Sequence, residues 1–476
     1  MTTNFTLPSQ ADVVILGGGI AGHTAALQAA ELGRNVLLLE KTDIYGGSTV
    51  LSSGSFAFAG TQVQRDAGYE DSGETLADDI RSASGQLADP ELVDLYVQEQ
   101  ADAYAWLCEH GVKFHPVSLS SNQAVPRTHP TNPQQLMDAL HECVKRQEKI
   151  TYVTGVSARS LIVDQAGRVE GVVVAKDGKD VRILAKHGVI LATGGFSRNP
   201  ELIAKFAPKM GRALRLGGEG NTGDGMLMAW QLGADFVDVA YVNGTFGISL
   251  NHYPEDRAPA ASDALLRVAV YRGAIAVNLN AKRFADESIS YKKLGEACLE
   301  QPKAMGFQVW DQKIMDQSMP APTAADFKGA YDKGLVYKAD SIRELAELVN
   351  LDPDTLQATV DRYNADVEQG KDTVFERTNL GRTNVGKGWG EMVKIDQAPY
   401  YIYPCTTAVL ATYCGLRVTR SMEVLNVFGQ TIPGLYAAGE IVGGFHGSGY
   451  MSGSSLSKSV IFGRAAAKTI VAQERV

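Results

Sequence analysis

Several things are scarce in this 476-residue chain, and each scarcity excludes something. Basic residues fall short of acidic ones, 45 against 54, for a formal net charge of -9. That balance argues against a general binder of nucleic acid or of anionic membrane surfaces. No apolar run approaches the ~20 residues that span a bilayer. The first eleven residues lack the basic start and apolar core of a signal peptide. Cysteine is limited to Cys108, Cys143, Cys298, Cys405 and Cys414, an odd number, scattered and never spaced as CxxC. A disulfide framework or zinc site is therefore not expected, no metal is expected, and a reducing cytoplasm is the default location. No CxxCH occurs, which leaves no attachment point for a c-type haem.

What the chain has in excess is glycine, 49 residues, roughly 10% against an average near 7%. The glycines follow no period, so they belong to particular turns. The first cluster lies in residues 12–40, DVVILGGGIAGHTAALQAAELGRNVLLLE. Val13 to Leu16 reads as a short buried strand, Thr24 to Leu32 as an alanine-rich helix stopped by Gly33, and Val36 to Leu39 as a second strand. Between strand and helix, Gly17, Gly19 and Gly22 form G-x-G-x-x-G. The first glycine makes the tight turn, the second lets backbone approach a pyrophosphate, and the third lets helix pack on strand. Ile20 and Ala21 lie in the same turn as expected cofactor contacts, and the unpaired N–H groups and dipole of the helix N-terminus favour phosphate. Glu40, 18 residues beyond Gly22, is placed to accept from an adenosine ribose. A lone G-x-G-x-x-G is often only a turn. Inside a strand–helix–strand–acid unit it predicts a bound dinucleotide.

Later segments select FAD over NAD. Lys41 is followed by Gly46-Gly47-Ser48-Thr49, a turn able to bring backbone to a cofactor. Gly188 to Phe196 reads as a strand running into Thr193-Gly194-Gly195. Thr431 to Glu440 reads as a strand ending at Gly439 and an acid suited to a ribityl hydroxyl. A plain NAD fold has no need of that last strand. Ser53, Gly54, Val156 and Asp224 complete the expected cofactor contacts, with Ser454, Ser455 and Leu456 offering N–H groups at the start of the last helix. A pyridine-nucleotide disulfide reductase is excluded, because there is neither a second G-x-G-x-x-G unit nor a CxxxxC pair.

Taken with Thr222-Gly223-Asp224-Gly225, Ala274 to Glu287 (AIAVNLNAKRFADE), Gly370 to Leu380 (GKDTVFERTNL) and Gly434 to Gly463, these motifs make the chain resemble the FAD-dependent fumarate reductase/3-ketosteroid dehydrogenase flavoprotein superfamily along nearly its whole length. The resemblance implies an α/β fold: a Rossmann-like, glutathione-reductase-type FAD-binding domain from residues 1–237 and 386–476, with an inserted α+β capping domain, 238–385, and ligands between the two. A helical pattern in 341–369 (Ile342, Leu345, Leu348, Val349, Leu356, Val360, Tyr363, Val367) suits such a cap. The branch with covalent flavin uses a histidine in the glycine-rich turn. Here that place holds Ser48 or Thr49, so non-covalent FAD is expected.

The same resemblance marks departures in the active site. Where the soluble fumarate reductases carry H-G-A-N-R-L-G, with an arginine that clamps the substrate carboxylate, this chain reads His446-Gly447-Ser448-Gly449-Tyr450-Met451-Ser452-Gly453. A second family histidine is absent from Leu410 to Gly415. The family's proton-donating arginine belongs to R-G-N-G-A-I, and the matching stretch, Val270 to Ile275, has Arg272 displaced by two positions. The Tyr-x-Ser-Gly run resembles instead the ketosteroid dehydrogenases of the Δ4 type. That implies removal of hydrogens from a C–C bond beside a ketone, with a tyrosine taking the α-proton and the flavin taking a hydride from the β carbon.

Ketone α-protons are acidic enough for a tyrosinate base, provided hydrogen bonds or a cation lower a phenol from its usual ~10. Tyr450, Ser452, Tyr271, Arg272 and His446 are the candidate catalytic set, with Arg272 as a source of that field or a carboxylate anchor. Each has a plainer reading: Tyr450 as a packing plug, Ser452 as a helix cap, Tyr271 as a core residue, Arg272 as a surface charge, His446 as chemically idle. His129 and His252 read as structural. The expected substrate is a cyclic ketone, a 3-ketosteroid or a 4-oxocyclohexanecarboxylate-like ring. The alternative is reduction of an unsaturated acid such as fumarate or urocanate, and a nonenzymatic electron carrier is a third class. Oxygen, a quinone or a redox protein would take the electrons.

Overall fold

The computed structural model describes residues 7–473 except 177, 243, 251–252, 254–263, 321–322 and 378–392. His252, and residues 378–380 of the Gly370 to Leu380 motif, therefore lie outside the described residues.

A parallel sheet organises the first layer. Gln10–Leu16 sits at its centre, parallel to Val36–Leu39 on one side and to Lys179–Leu191 on the other. Ile150–Val153 extends the sheet beyond Val36–Leu39, and Thr431–Ala437 extends it beyond Lys179–Leu191. These strands are continuous runs of Val, Ile and Leu, as burial on both faces requires. Val13, Val14, Ile15, Leu37 and Leu38 are all fully buried. The N-terminal part of Lys179–Leu191 leaves the parallel core to pair with Val169–Lys176, which pairs in turn with Ser157–Val163.

Two helices cover one face of the sheet. Ile20–Glu31 is the helix that follows the first strand, and Ser454–Ala472 lies against it. They cross at small residues: a Cβ on Gly463 would stand 2.7 Å from the Ala21 carbonyl oxygen and 2.6 Å from Thr24 Oγ1. The backbones meet there, and no larger residue fits.

The second layer is an antiparallel sheet. Tyr400–Val409 pairs with Thr245–Ser249 and with Met305–Asp311, and Met305–Asp311 pairs with Ile275–Val277. Strand pairing thus carries this sheet beyond the expected interval 238–385, to Tyr400–Val409 and to Leu214–Arg215 at its edge. The helical pattern expected in 341–369 forms two helices, Ile342–Leu348 and Pro353–Gln369. Its apolar positions are buried except Leu348, which is 45% exposed on the last turn of the shorter helix.

Four charged side chains tie this layer together, and they come from two of the family-like motifs. Arg283 bonds Glu287 at 2.6 Å and Asp372 at 2.7 Å, and Arg377 reaches Glu287 at 3.3 Å. All four are buried. Charges so far from water persist only when paired and fully hydrogen-bonded. Arg377 also donates to the carbonyls of Val270 and Ala274, at 2.9 and 3.2 Å. The network therefore fixes the short 3-10 turn Ala269–Arg272, which carries Tyr271.

Candidate active site

The glycine-rich turn is built to be filled from outside. Gly17 has φ +113, and a Cβ there would lie 2.2 Å from the Ala192 carbonyl oxygen; one on Gly22 would lie 1.8 Å from that of Gly17. Both glycines are required by the protein itself. Gly19 differs, since its Cβ would meet nothing nearer than 3.7 Å. A position that leaves room for a side chain, at a helix start without a side-chain cap, suits a phosphate brought close to backbone.

The remaining cofactor candidates converge around that turn. Glu40 accepts from Gly18 N at 2.7 Å through one oxygen and from Thr42 N at 2.8 Å through the other. Val156 lies beside it, its N–H bonded to the Glu40 carbonyl. Thr49 Oγ1 accepts from Ile20 N at 3.2 Å, and Ser48 Oγ from Gly218 N at 3.0 Å. Lys41 meets Asp224 in an ion pair of 2.7 Å. Gly46 and Gly47 take φ +108 and +49, and Gly54, at φ +68, fits only because a side chain would strike the Thr131 carbonyl. Ser53 is exposed, its hydroxyl on Ser55.

At the far end, Gly194, Gly195, Gly439 and Glu440 come together. Glu440 accepts from Thr412 N at 2.9 Å and from Asn221 Nδ2 at 3.1 Å, and a Cβ on Gly195 would stand 2.5 Å from its carboxylate. Burial pushes the Glu440 carboxyl above its ordinary range. Gly439 packs on Ala21 at the start of the first helix. Thr193 Oγ1 and Asn221 Oδ1 are buried without a hydrogen-bond partner, as is Tyr152 OH beside Gly18. Unpaired buried polar atoms are costly, and a ligand bearing donors and acceptors resolves them. The last helix begins at Ser454 after Gly453, with φ +87 and no side-chain cap, which leaves N–H groups of Ser455 and Leu456 at its positive end.

Four tyrosines and a lysine meet above that helix start. The Tyr450 hydroxyl accepts from Gly453 N at 3.1 Å. His446 Nε2 lies 3.3 Å from Ser455 Oγ, and its ring centroid is 5.5 Å from that of Tyr450. Tyr291, from the helix Tyr291–Leu299, shares a hydrogen bond with the Ser452 side chain. Tyr271 donates to the Ile289 carbonyl at 3.1 Å, with its ring 6.4 Å from Tyr291. Lys292 Nζ stands 5.5 Å from the Tyr291 ring centroid and 5.8 Å from those of Tyr413 and Tyr450. It donates to Thr245 Oγ1 at 2.6 Å.

Tyr450, Ser452, Tyr271 and His446 thus share one neighbourhood, whereas Arg272 has a different setting. The Arg272 guanidinium contacts Met319 Sδ at 3.4 Å, and burial brings it down to about 10. It contributes to the shift of neither Tyr450 nor Tyr271. The cation beside Tyr450 is Lys292. Burial also moves the phenols the other way from a ready-made tyrosinate: Tyr450 is raised, and Tyr291 and Tyr413 stand well above their ordinary value. Only the Gly453 N–H and Ser455 work in favour of a Tyr450 phenolate. His446 is pushed well below its usual range by burial and the charges of Lys458 and Lys292, so it is neutral. Ser452 does not cap the last helix, since its hydroxyl serves Tyr291.

An FAD-binding-domain family model matches residues 12–456, nearly the whole chain. The chain belongs to the FAD-binding oxidoreductases. Its bound cofactor is FAD, which the cradle, the two uncapped helix starts and the unpaired buried atoms described above all accommodate. This flavoprotein is 31% identical over 473 residues to the urocanate reductase of Eggerthella lenta, covering 97% of this chain and 74% of the relative. Among solved structures it matches the open conformation of a flavocytochrome c3 fumarate reductase with TM-score 0.82 and 29% identity, over 97% of this chain and 78% of that one. It also matches the 3-ketosteroid-Δ4-(5α)-dehydrogenase of Rhodococcus jostii RHA1, in complex with 4-androstene-3,17-dione, with TM-score 0.75 and 28% identity over 99% of both chains.

Sequence reasoning missed Lys292, Tyr291, Tyr413 and Thr245 in this flavoprotein. One signal was available. In Tyr291–Leu299 the buried residues include Lys292, Gly295 and Leu299, spaced three and seven apart on one face. A lysine there is out of place unless something needs it. His129 is buried between Thr61 Oγ1 and the Arg127 carbonyl. No helix among the described residues is long and apolar enough to cross a membrane, and no cluster among them could hold a metal ion.

Proposed function

We propose that this flavoprotein desaturates the C–C bond next to the carbonyl of a cyclic ketone. The observation that carries the reading is Tyr450, seated at the N-terminal end of the last helix and facing Tyr413 and Tyr291, in the loop where the fumarate reductases carry an arginine. Protonated phenols are hydrogen-bond donors, and donors at the carbonyl oxygen are what a developing enolate needs. Tyr413 and Tyr291, held protonated by burial, supply them. Tyr450 takes the proton α to the carbonyl, its phenolate supported by the Gly453 N–H and the positive helix end. FAD, when bound, supplies the acceptor for the hydride that leaves the β carbon. Tyr271 backs Tyr291, and Ser452 orients it. Similarity to a structure with a bound ketosteroid over 99% of both chains supports the ketone class. Electrons then pass to oxygen, a quinone or a redox protein.

A second reading has its own support. The reductase of an unsaturated acid is favoured by 31% identity to a urocanate reductase and by a buried cation in the site. One experiment separates the two. Anaerobic addition of a cyclic ketone bleaches the oxidised flavin if the enzyme is a desaturase. If ketones leave the spectrum untouched and the dye-reduced enzyme is reoxidised by an unsaturated acid, the reductase reading replaces it.

A further inference from the structure

The lysine in the tyrosine cluster has a consequence for what the site binds. Lys292 is 8% exposed and forms no ion pair with any carboxylate among the described residues. It donates a hydrogen bond to Thr245, itself buried. Elsewhere in the same layer Arg283 and Arg377 are neutralised by Glu287 and Asp372 and Arg267 by Asp326, while buried Arg272 lies against Met319. Lys292 instead faces three ring systems, each 5.5–5.8 Å from its nitrogen. Aromatic faces steady a cation but carry no compensating charge. A buried ammonium left this way is poised for an anion from outside.

We propose that Lys292 is the counter-charge for a substrate carboxylate, so that the ligand is a small ring ketone that is also an acid, and not a neutral ketosteroid. The inference rests on the ketone reading above. It also accounts for the missing arginine: the site keeps a cation but moves it from the glycine-rich loop to the capping layer, which frees the loop position for Tyr450. The ammonium and the phenol donors lie in one cluster, so an oxo acid there has its carboxylate paired with Lys292 and its carbonyl with the phenols.

The pH behaviour follows from the surroundings. The titratable groups facing Lys292 are Tyr291 on its own helix, Tyr413 and Tyr450 from the two loops, and His446. The three phenols are held protonated and His446 neutral, while Lys458 on the last helix, which acts with Lys292 on His446, is brought down to about 8 by burial. Cys298 and Cys405, further along the helix and on the strand beneath, are buried thiols pushed upward, and Arg212 lies at the helix's opposite end, donating to Leu299. Burial brings Lys292 itself down to about 7. Affinity for a carboxylate is then greatest below that value and declines as the ammonium loses its proton.

The test uses the FAD-loaded enzyme and reads perturbation or bleaching of the flavin spectrum. The ligands are 4-oxocyclohexanecarboxylate, its methyl ester, and cyclohexanecarboxylate, which has the acid but no ketone. The wild-type enzyme is expected to bind both acids at least ~30-fold more tightly than the ester. Lys292→Met is expected to bring the acids to the level of the ester and leave the ester unchanged, while Lys292→Arg keeps most of the preference. Should Lys292→Met not fold, the wild-type acid-to-ester ratio serves instead, falling about tenfold per pH unit above about 7. Equal binding of acid and ester in the wild type, or a Lys292→Met enzyme that still prefers the acid, overturns the proposal. If cyclohexanecarboxylate binds through Lys292 but no ketone bleaches the flavin, the counter-charge stands and the ketone reading fails.

Discussion

The Tyr413 and Tyr450 rings lie nearly parallel, 17° between planes and 6.0 Å between centroids. Tyr413 occupies the stretch where the resemblance places a histidine, and Tyr450 the place of an arginine, so both departures fall on one face of one site. Removing the Tyr450 hydroxyl deletes its bonds with Gly453 N and Ser455 at the start of the last helix and leaves the ring packing in place. Tyr450→Phe should therefore keep the wild-type melting temperature and flavin spectrum while losing roughly 10²–10⁴-fold in turnover. Because burial raises this phenol, wild-type activity on a neutral ketone should climb with pH into the alkaline range. Stopped-flow reduction of the flavin across pH measures both, and a Tyr450→Phe enzyme with unimpaired reduction rules out the assigned role.

Arg272 offers the opposite expectation. Its guanidinium rests on Met319 and shifts neither phenol. Arg272→Met should leave steady-state kinetics within about threefold of wild type, since removal of a group outside the reacting set costs little transition-state binding. A loss of 100-fold in kcat with KM unchanged would return it to the catalytic set.

Gly19 and Gly22 separate cofactor binding from folding. A methyl group at Gly22 would be driven into the Gly17 carbonyl, whereas one at Gly19 meets nothing within 3.7 Å. Gly19→Ala should fold with unchanged far-UV circular dichroism yet hold FAD at least tenfold more weakly, measured by flavin release on dilution. Gly22→Ala should yield little soluble protein. Equal FAD affinity in Gly19→Ala would mean that the pyrophosphate lies elsewhere.

Asp372 carries the acid sensitivity of the second layer. Hydrogen bonds and charge from Arg283 hold its carboxyl well below the ordinary carboxylate range against an opposing burial penalty. A carboxylate so depressed stabilises the fold at every pH above its unfolded value, near ~4, and loses that contribution as pH falls through the folded value. Asp372→Asn leaves Arg283 partly unpaired and should cost roughly 3–5 kcal/mol at neutral pH. The gap from wild type should narrow below pH ~4, as chemical denaturation at several pH values will record.

Lys292 should be costly to the empty enzyme. Its value falls from 10.5 unfolded to about 7 folded, so between those limits the unfolded chain holds more protons and stability rises with pH. Lys292→Met should melt above the wild type at pH 6 without ligand, a gain in stability bought with substrate affinity. A lower melting temperature would indicate that the ammonium is compensated within the protein.

The parts of this enzyme that could be read in advance are those where local pattern and global structure coincide. The strand at Val36–Leu39 has the expected bounds, and the helix after Gly19 ends one residue before the Leu32 and Gly33 stop signal, because glycine spacing and apolar runs act over a few residues. FAD followed from the same local signals. The motifs around Arg283 and Asp372 stood out as motifs, but their purpose did not: the two residues are 89 positions apart, and no local rule pairs them. The active site was half legible for the same reason. Tyr450 and Ser452 sit in a glycine-rich loop that advertises itself, whereas Lys292 and Tyr413 join them only through the packing of separate elements. Arg272 came forward through a displaced motif, and its contact with Met319 is likewise a matter of tertiary packing that no local rule gives.

The crossing of the two helices at Gly463 and Ala21 bears on how the enzyme is made. The helix Ile20–Glu31 precedes Ser454–Ala472 by more than 400 residues, yet the two pack against each other, and both start without a side-chain cap. A nascent chain that has not yet reached Ser454 lacks one of the two helix starts suited to FAD and is expected to hold the cofactor weakly. Until Ser454–Ala472 is made, the alanine-lined face of Ile20–Glu31 is without that partner, and such exposed apolar surface is what makes a growing chain prone to association.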